Sequence, residues 1–99
     1  MQTFVIRRRS EWKTPAELEK TAARSTQVGD EEMSDQVRWI RSYVVDDDGT
    51  LGTICIYQAV SADALRDHAK RVGMPADEIT QVADTVVVRA DPEGVAAAS

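Results

Sequence analysis

The chain has 99 residues, 42% hydrophobic and 29% charged, with 17 acidic against 12 basic side chains for a formal net charge of -5. That length fits one hydrophobic core and not two, and the composition is that of a folding globular domain and not of a disordered polymer. The acidic balance argues against nucleic acid or an anionic membrane as a general partner, because both need basic surface to neutralise phosphate, and makes a cation the more natural guest.

The first apolar run, Phe4, Val5 and Ile6, reads as a short strand over Thr3–Arg8 with Arg7, Arg8 and Arg9 at its end. This basic cluster is either a solvated strand terminus or a hold for an anionic ligand, and the overall acidity favours the terminus. Arginines that follow the apolar run invert the order of a secretory signal. No segment approaches the roughly 18 apolar residues of a membrane helix. With a single cysteine, Cys55, and no internal disulfide, a cytoplasmic protein is expected.

Thr14-Pro15-Ala16-Glu17 matches a capping box with proline at the first helical position, where its missing N–H costs nothing. The helix is expected from Pro15 to about Thr26, with Leu18, Ala22 and Ser25 as a thin core stripe, and Gly29 as its stop or the following turn. Asp30, Glu31 and Glu32 could offer oxygen ligands, but the spacing and glycine of a calcium loop are missing.

Val37 to Tyr57, VRWIRSYVVDDDGTLGTICIY, reads as two strands about one turn. Strict alternation sets Val37, Trp39, Arg41, Tyr43 and Val45 on one side and Arg38, Ile40, Ser42 and Val44 on the other. In the second strand Ile54 and Ile56 oppose Cys55 and Tyr57. An aliphatic face is therefore expected under the helices. The face carrying Trp39, Arg41, Tyr43, Cys55 and Tyr57 is expected to be covered by a second copy or to form a ligand pocket. Between the strands, Asp46-Asp47-Asp48-Gly49 puts Asp-Gly at a turn tip. Three adjacent carboxylates resemble a cation site, but consecutive strand residues point in alternate directions, so a solvated loop is the simpler reading.

Ser61 can cap a second helix, Ala62 to about Val72, with Leu65, Ala69 and Val72 facing the core and His68, the only histidine, at the margin of that stripe. Such a histidine is either a packed, hydrogen-bonded residue or a nitrogen ligand for nickel, copper or zinc. Gly73 and Pro75 stop the helix. Ile79 to Val88, rich in β-branched residues, is expected to be a long last strand. Asp91-Pro92-Glu93-Gly94 breaks it, and residues 91–99 are expected to be a flexible tail. The order strand, helix, strand, strand, helix, strand is the α+β, ferredoxin-like βαββαβ pattern over residues 1–90: an antiparallel sheet with two helices on one face and an open face suited to dimerisation.

The segments TFVIRR, WIRSYV, ICIYQA and RDHAKRVGMPADEI, over roughly residues 3 to 90, resemble a family of small bacterial ferredoxin-like proteins carried as a domain of unknown function and associated with nickel binding. The resemblance rests on Trp39 with Ser42, Tyr43 and Val44, on Cys55 with Tyr57, and on His68-Ala69 with Gly73 and Pro75. It implies a homodimer that binds divalent nickel for sequestration or tolerance, with His68 as candidate ligand, Cys55 as a weaker one, and no organic cofactor. The sequence departs from the family pattern in the DGTLGT lengthening of the hairpin turn, in Asp67 before His68 and in Met74 before Pro75. The alternative is a dimeric small-ligand or monooxygenase-like protein with a pocket of Trp39, Arg41, Tyr43 and Tyr57 on the open face. There Arg41 would orient an anionic group and His68 would exchange protons. No nucleophile with a paired base and no phosphate loop occurs in the sequence, so binding is the expected role and catalysis the secondary one.

Overall fold

Four strands and two helices follow one another in the expected order, in a computed structural model that describes residues 1–76 and 78–90. The elements are β1 (Gln2–Trp12), α1 (Pro15–Gln27), a π-helical turn at Val28–Glu32, β2 (Val37–Asp47), β3 (Thr50–Ala59), α2 (Ala62–Val72) and β4 (Glu78–Gln81). The sheet order is β2-β3-β1-β4 with every neighbouring pair antiparallel, which is the ferredoxin-like arrangement. Residues 91–99, expected as a tail, lie outside the described residues.

The helix ends follow the capping residues. Thr14 Oγ1 accepts the Glu17 N–H at 3.2 Å, and the Glu17 carboxylate reaches back to the Lys13 N–H at 2.8 Å. Ser61 Oγ accepts the Ala64 N–H at 3.1 Å, and Gly73, at φ +87°, closes α2 by donating to the Ala69 carbonyl. Gly29 does not stop α1, because the chain passes directly from Gln27 into the π-helical turn, which buries Val28 and ends at buried Met33. Phe4 and Ile6 of β1, Cys55, Tyr57 and Ala59 of β3, Val28, Met33 and Leu65 form the core between sheet and helices.

The hairpin departs from simple alternation, and this corrects the expected faces. Trp39 pairs with Tyr57 and Arg41 with Ile56, so Ile40 is an extra residue, a β-bulge. Before the bulge Val37 and Trp39 lie on the helix side; after it Ser42 and Val44 do, opposite Cys55 and Thr53. Trp39, Cys55 and Tyr57 therefore lie beneath the helices, whereas Arg41, Tyr43, Ile54 and Ile56 share the open face. The aliphatic residues are not the helix-covered set. At the turn, Asp48 (φ +55°) and Gly49 (φ +90°) are the two central residues between paired Asp47 and Thr50, as the Asp-Gly tip requires.

The outer strands differ in length from expectation. β1 continues past Arg8 through an irregularity, where Ser10 takes φ +49°, and pairs again at Trp12 with Leu51. Arg8 is therefore inside the strand and buried, not part of a solvated end. β4 stops at Gln81, paired with Phe4, and the Val82 N–H still reaches the Thr3 carbonyl at 2.8 Å. Beyond that point β1 has run out at Gln2, so Val86, Val87 and Val88 have β-propensity but no strand to pair with, and they are exposed.

Candidate functional site

Phe4, Ile6 and Arg8 alternate onto the helix side of β1, and Arg8 faces Thr53 directly across the β1–β3 ladder. Both are 3% exposed. Arg8 Nε donates to the Pro75 carbonyl at 2.7 Å and Nη1 lies 3.5 Å from Cys55 Sγ. Its Nη2 and the Thr53 hydroxyl are buried with no hydrogen-bond partner, and among the described residues no carboxylate pairs with Arg8. Buried polar groups are ordinarily satisfied, so two orphaned atoms on cross-strand neighbours mark this place. Both residues line a cavity of about 310 Å³ between the sheet and α1, whose walls include Trp12, Leu18, Trp39 and Tyr57. The Trp12 indole N–H is tied to Thr21 at 3.0 Å and that of Trp39 to Ser42 at 2.8 Å, which fixes both rings. Trp39 stacks on Tyr57 with centroids 6.2 Å apart.

A polar seam leads from this cavity to His68. The Tyr57 hydroxyl lies 3.4 Å from Ser25 Oγ, and His68 Nε2 lies 3.1 Å from the Ser25 carbonyl oxygen. A carbonyl only accepts, so Nε2 carries the proton and the lone pair of the neutral ring is on Nδ1. His68 is 1% exposed and packs edge-on against Tyr57 at 5.7 Å. Burial pushes the imidazole below its ordinary range, the Ser25 bond opposes this, and the Arg8 charge adds to the lowering. Burial likewise raises the Tyr57 hydroxyl, against its hydrogen bond with Ser25. His68 thus belongs to the centre of the α2 stripe and not to its margin.

Of the residues singled out from sequence, the structure brings Trp39, Cys55 and Tyr57 together around the cavity and places His68 behind Tyr57. Arg41 and Tyr43 are on the opposite face, so the pocket of Trp39, Arg41, Tyr43 and Tyr57 does not form on one side of the sheet. The three turn aspartates do not converge. Asp46 accepts the Gly49 N–H at 2.9 Å, whereas Asp47 accepts from Arg7 at 2.9 Å and from the Ser10 N–H at 2.9 Å. In the acidic run, Glu32 faces Arg71 and Arg24 at 3.4 and 3.8 Å. Among the described residues no group of three or more His, Cys, Asp or Glu is placed to hold a metal ion. Arg8 and Thr53 were missed from sequence because Arg8 stands in a run of three arginines and only the strand pairing shows which one turns inward.

No curated protein matches this chain. Among solved structures, the crystal structure of SCO4226 from Streptomyces coelicolor A3(2) is similar with a TM-score of 0.70 at 22% identity, over 85% of this chain and 99% of that one, a likeness of fold. A family model described as nickel responsive protein, SCO4226-like, matches residues 4–82. That match spans the sheet, both helices, the cavity and the His68 seam, and the chain belongs to the SCO4226-like family of nickel-responsive proteins.

Proposed function

We propose that this chain binds Ni(II) as cargo, for sequestration or tolerance rather than catalysis, and does so as a cytoplasmic homodimer. The observation that carries the reading is the family match over residues 4–82. The net charge of -5 supports a cationic guest. One copy offers a single imidazole lone pair, on His68 Nδ1, and a single thiol, on Cys55, both in the core. Imidazole and carboxylate donors suit Ni(II), and one nitrogen with one sulfur leaves the rest of the shell to carboxylates or solvent. The open sheet face, on the side away from His68 and Cys55, fits a second copy: Val5, Ile54, Ile56 and Tyr43 form an apolar stripe across β1, β3 and β2, and Tyr43 is 52% exposed.

In this reading His68 is the nitrogen donor and Cys55 a weaker sulfur donor, and metal entry requires α2 to move off the sheet. Calorimetric titration of Ni(II) into metal-free protein, with mass measured across protein concentration, tests it. The expected result is a dimer that Tyr43→Asp divides, and nickel uptake at a fixed ratio per chain that His68→Asn weakens at unchanged fold. No heat on nickel addition refutes the binding role. Equal affinity in His68→Asn removes His68 from the shell, and a monomer at every concentration removes the dimer.

A further inference from the structure

We propose that the cavity beneath α1 binds a small aromatic monocarboxylate, its carboxylate held by Arg8 and Thr53 and its ring by Trp12, Trp39 and Tyr57. The charge is the first argument. The Arg8 guanidinium is buried at 3% exposure, and among the described residues the groups it meets are a carbonyl, a thiol and the Tyr57 hydroxyl, none of them a carboxylate or phosphate. Breaking a buried ion pair by removing one partner is strongly unfavourable, and this site has the form of a pair lacking its anion. A single anionic charge completes it.

The donor set narrows the anion. Arg8 Nη2 offers N–H groups and Thr53 Oγ1 one hydroxyl, on side chains that face each other across the ladder; both atoms lie behind the apolar lining, so a carboxylate reaches them when the Arg8 head turns toward the cavity. Two adjacent donors match the two oxygens of a carboxylate. A phosphate dianion would need more donors and a second positive charge, and the other two arginines of the run are engaged on the outer face, Arg7 with Asp47 and Arg9 with Glu78. The walls narrow the body of the ligand. Two indoles and a phenol, each with its polar tip already bonded within the fold, leave flat apolar surface toward a space of about 310 Å³, at the small end of the ligand-pocket range of about 300–1,000 Å³. Ring stacking on such walls favours an aromatic guest over an aliphatic one. Glu19 lies on the lining but is solvent-exposed.

Cys55 lines this cavity with its Sγ 3.5 Å from Arg8 Nη1, so the two proposals meet at that residue, and they are told apart by their readouts: loss of nickel uptake in His68→Asn for the metal, the acid–amide difference for the carboxylate. The test titrates phenylacetate into the full chain, followed by calorimetry and by the emission of Trp12 and Trp39, with phenylacetamide as the uncharged isostere and acetate as the ringless control. Phenylacetate is expected to bind and change the emission, with phenylacetamide and acetate each weaker by about tenfold or more, since each lacks the charge-assisted contact or the stacked ring. Arg8→Met keeps the stem and removes the charge; it is expected to weaken phenylacetate by about 10- to 100-fold while melting no lower than wild type. Equal binding of acid and amide overturns the proposal, as does wild-type affinity in Arg8→Met. No binding of phenylacetate at millimolar concentration, the behaviour of a cavity that holds only water, also overturns it. Should Arg8→Met fail to fold, the comparison of acid, amide and acetate on the native chain decides alone.

Discussion

Gly52→Ala is a substitution whose sign separates local propensity from tertiary packing. Glycine inside a strand is entropically unfavourable, so propensity alone predicts that alanine stabilises by about 0.5–1 kcal/mol. At this position a Cβ would meet the Asp47 carboxylate, and it would lie 2.6 Å from the Arg8 carbonyl oxygen and 2.7 Å from Arg7 Nη1. The Arg7 side chain crosses over Gly52 to reach Asp47 at 2.9 Å, while Nη1 donates to the Arg8 and Thr53 carbonyls. The pair is largely shielded, with 19% and 21% of the two side chains exposed, and Arg7 helps hold the Asp47 carboxylate below its usual range, after the larger effect of the Ser10 N–H. The carbonyl belongs to the backbone of β1 and yields little, so the ion pair has to open. Overpacking of this kind costs about 1–3 kcal/mol, which outweighs the propensity gain. A net loss of about 1–2 kcal/mol corresponds to a fall in Tm of about 4–16 °C for a chain of this size. Thermal and urea unfolding followed by circular dichroism measure it. In a cycle with Asp47→Ala the two effects should be less than additive, because either change breaks the same pair. A variant as stable as wild type, or more so, would refute the argument that this glycine is there for space.

The remaining predictions concern protonation, capping and the end of the sheet. His68 has a folded-state pKa below its unfolded value, so its contribution is complete above about pH 6.5 and is lost as pH falls below that, ahead of the carboxylates Asp47 and Glu78, whose lowered pKa values place their loss near and below pH 4. Urea midpoints measured from pH 8 to 4 should therefore fall below pH 6.5 in the wild type and stay level over pH 7 to 5 in His68→Gln; parallel curves would contradict the buried neutral imidazole. Ser61→Ala removes the N-cap acceptor of α2 and should cost about 1 kcal/mol, read as a fall in Tm of about 4–8 °C. Val87→Asp should leave Tm unchanged, because Val87 is 75% exposed and lies beyond the last paired residue; a loss above about 1 kcal/mol would mean that the last strand extends as its β-branched run suggests.

Local signals in the sequence located most of the elements. Thr14 and Ser61 as caps, Gly73 as a stop, and Asp48-Gly49 as a tip act within a few residues, and each is found where its chemistry places it. The order of elements then implies the ferredoxin-like topology, because few arrangements accommodate it. Strand limits and burial were less legible because they depend on partners distant in sequence. The last strand ends where β1 ends, which its own valines cannot reveal. Arg8 is buried and Arg9 is not because Arg8 faces Thr53 under the helices, whereas Arg9 reaches Glu78 in the open. His68 reads as the margin of the α2 stripe yet is buried, because the π-helical turn, which adds Val28 and Met33 to the core beside α2, has no clear sequence mark beyond Gly29.

The bulge at Ile40 links the misread faces to the candidate site. With unbroken alternation, keeping Trp39 beneath the helices would bring Arg41 and Tyr43 there too, adding a cation and a bulky phenol to a space that Arg8 and Tyr57 already occupy. One extra residue resolves the conflict. It leaves Trp39 stacked on Tyr57, turns Ser42 inward to accept the indole N–H at 2.8 Å, and sends Arg41 and Tyr43 to the open face. Small Ser42 then lies where a large side chain would have filled the cavity, and Trp39, Ser42 and Val44 become three consecutive inward positions lining it. The same residue that defeats period-two reading therefore leaves room around the unpaired guanidinium. It also frees an aromatic side chain for the face proposed to meet a second copy. Cavity and open face are thus two outcomes of one irregularity in β2, which is why neither could be assigned by counting along the strand.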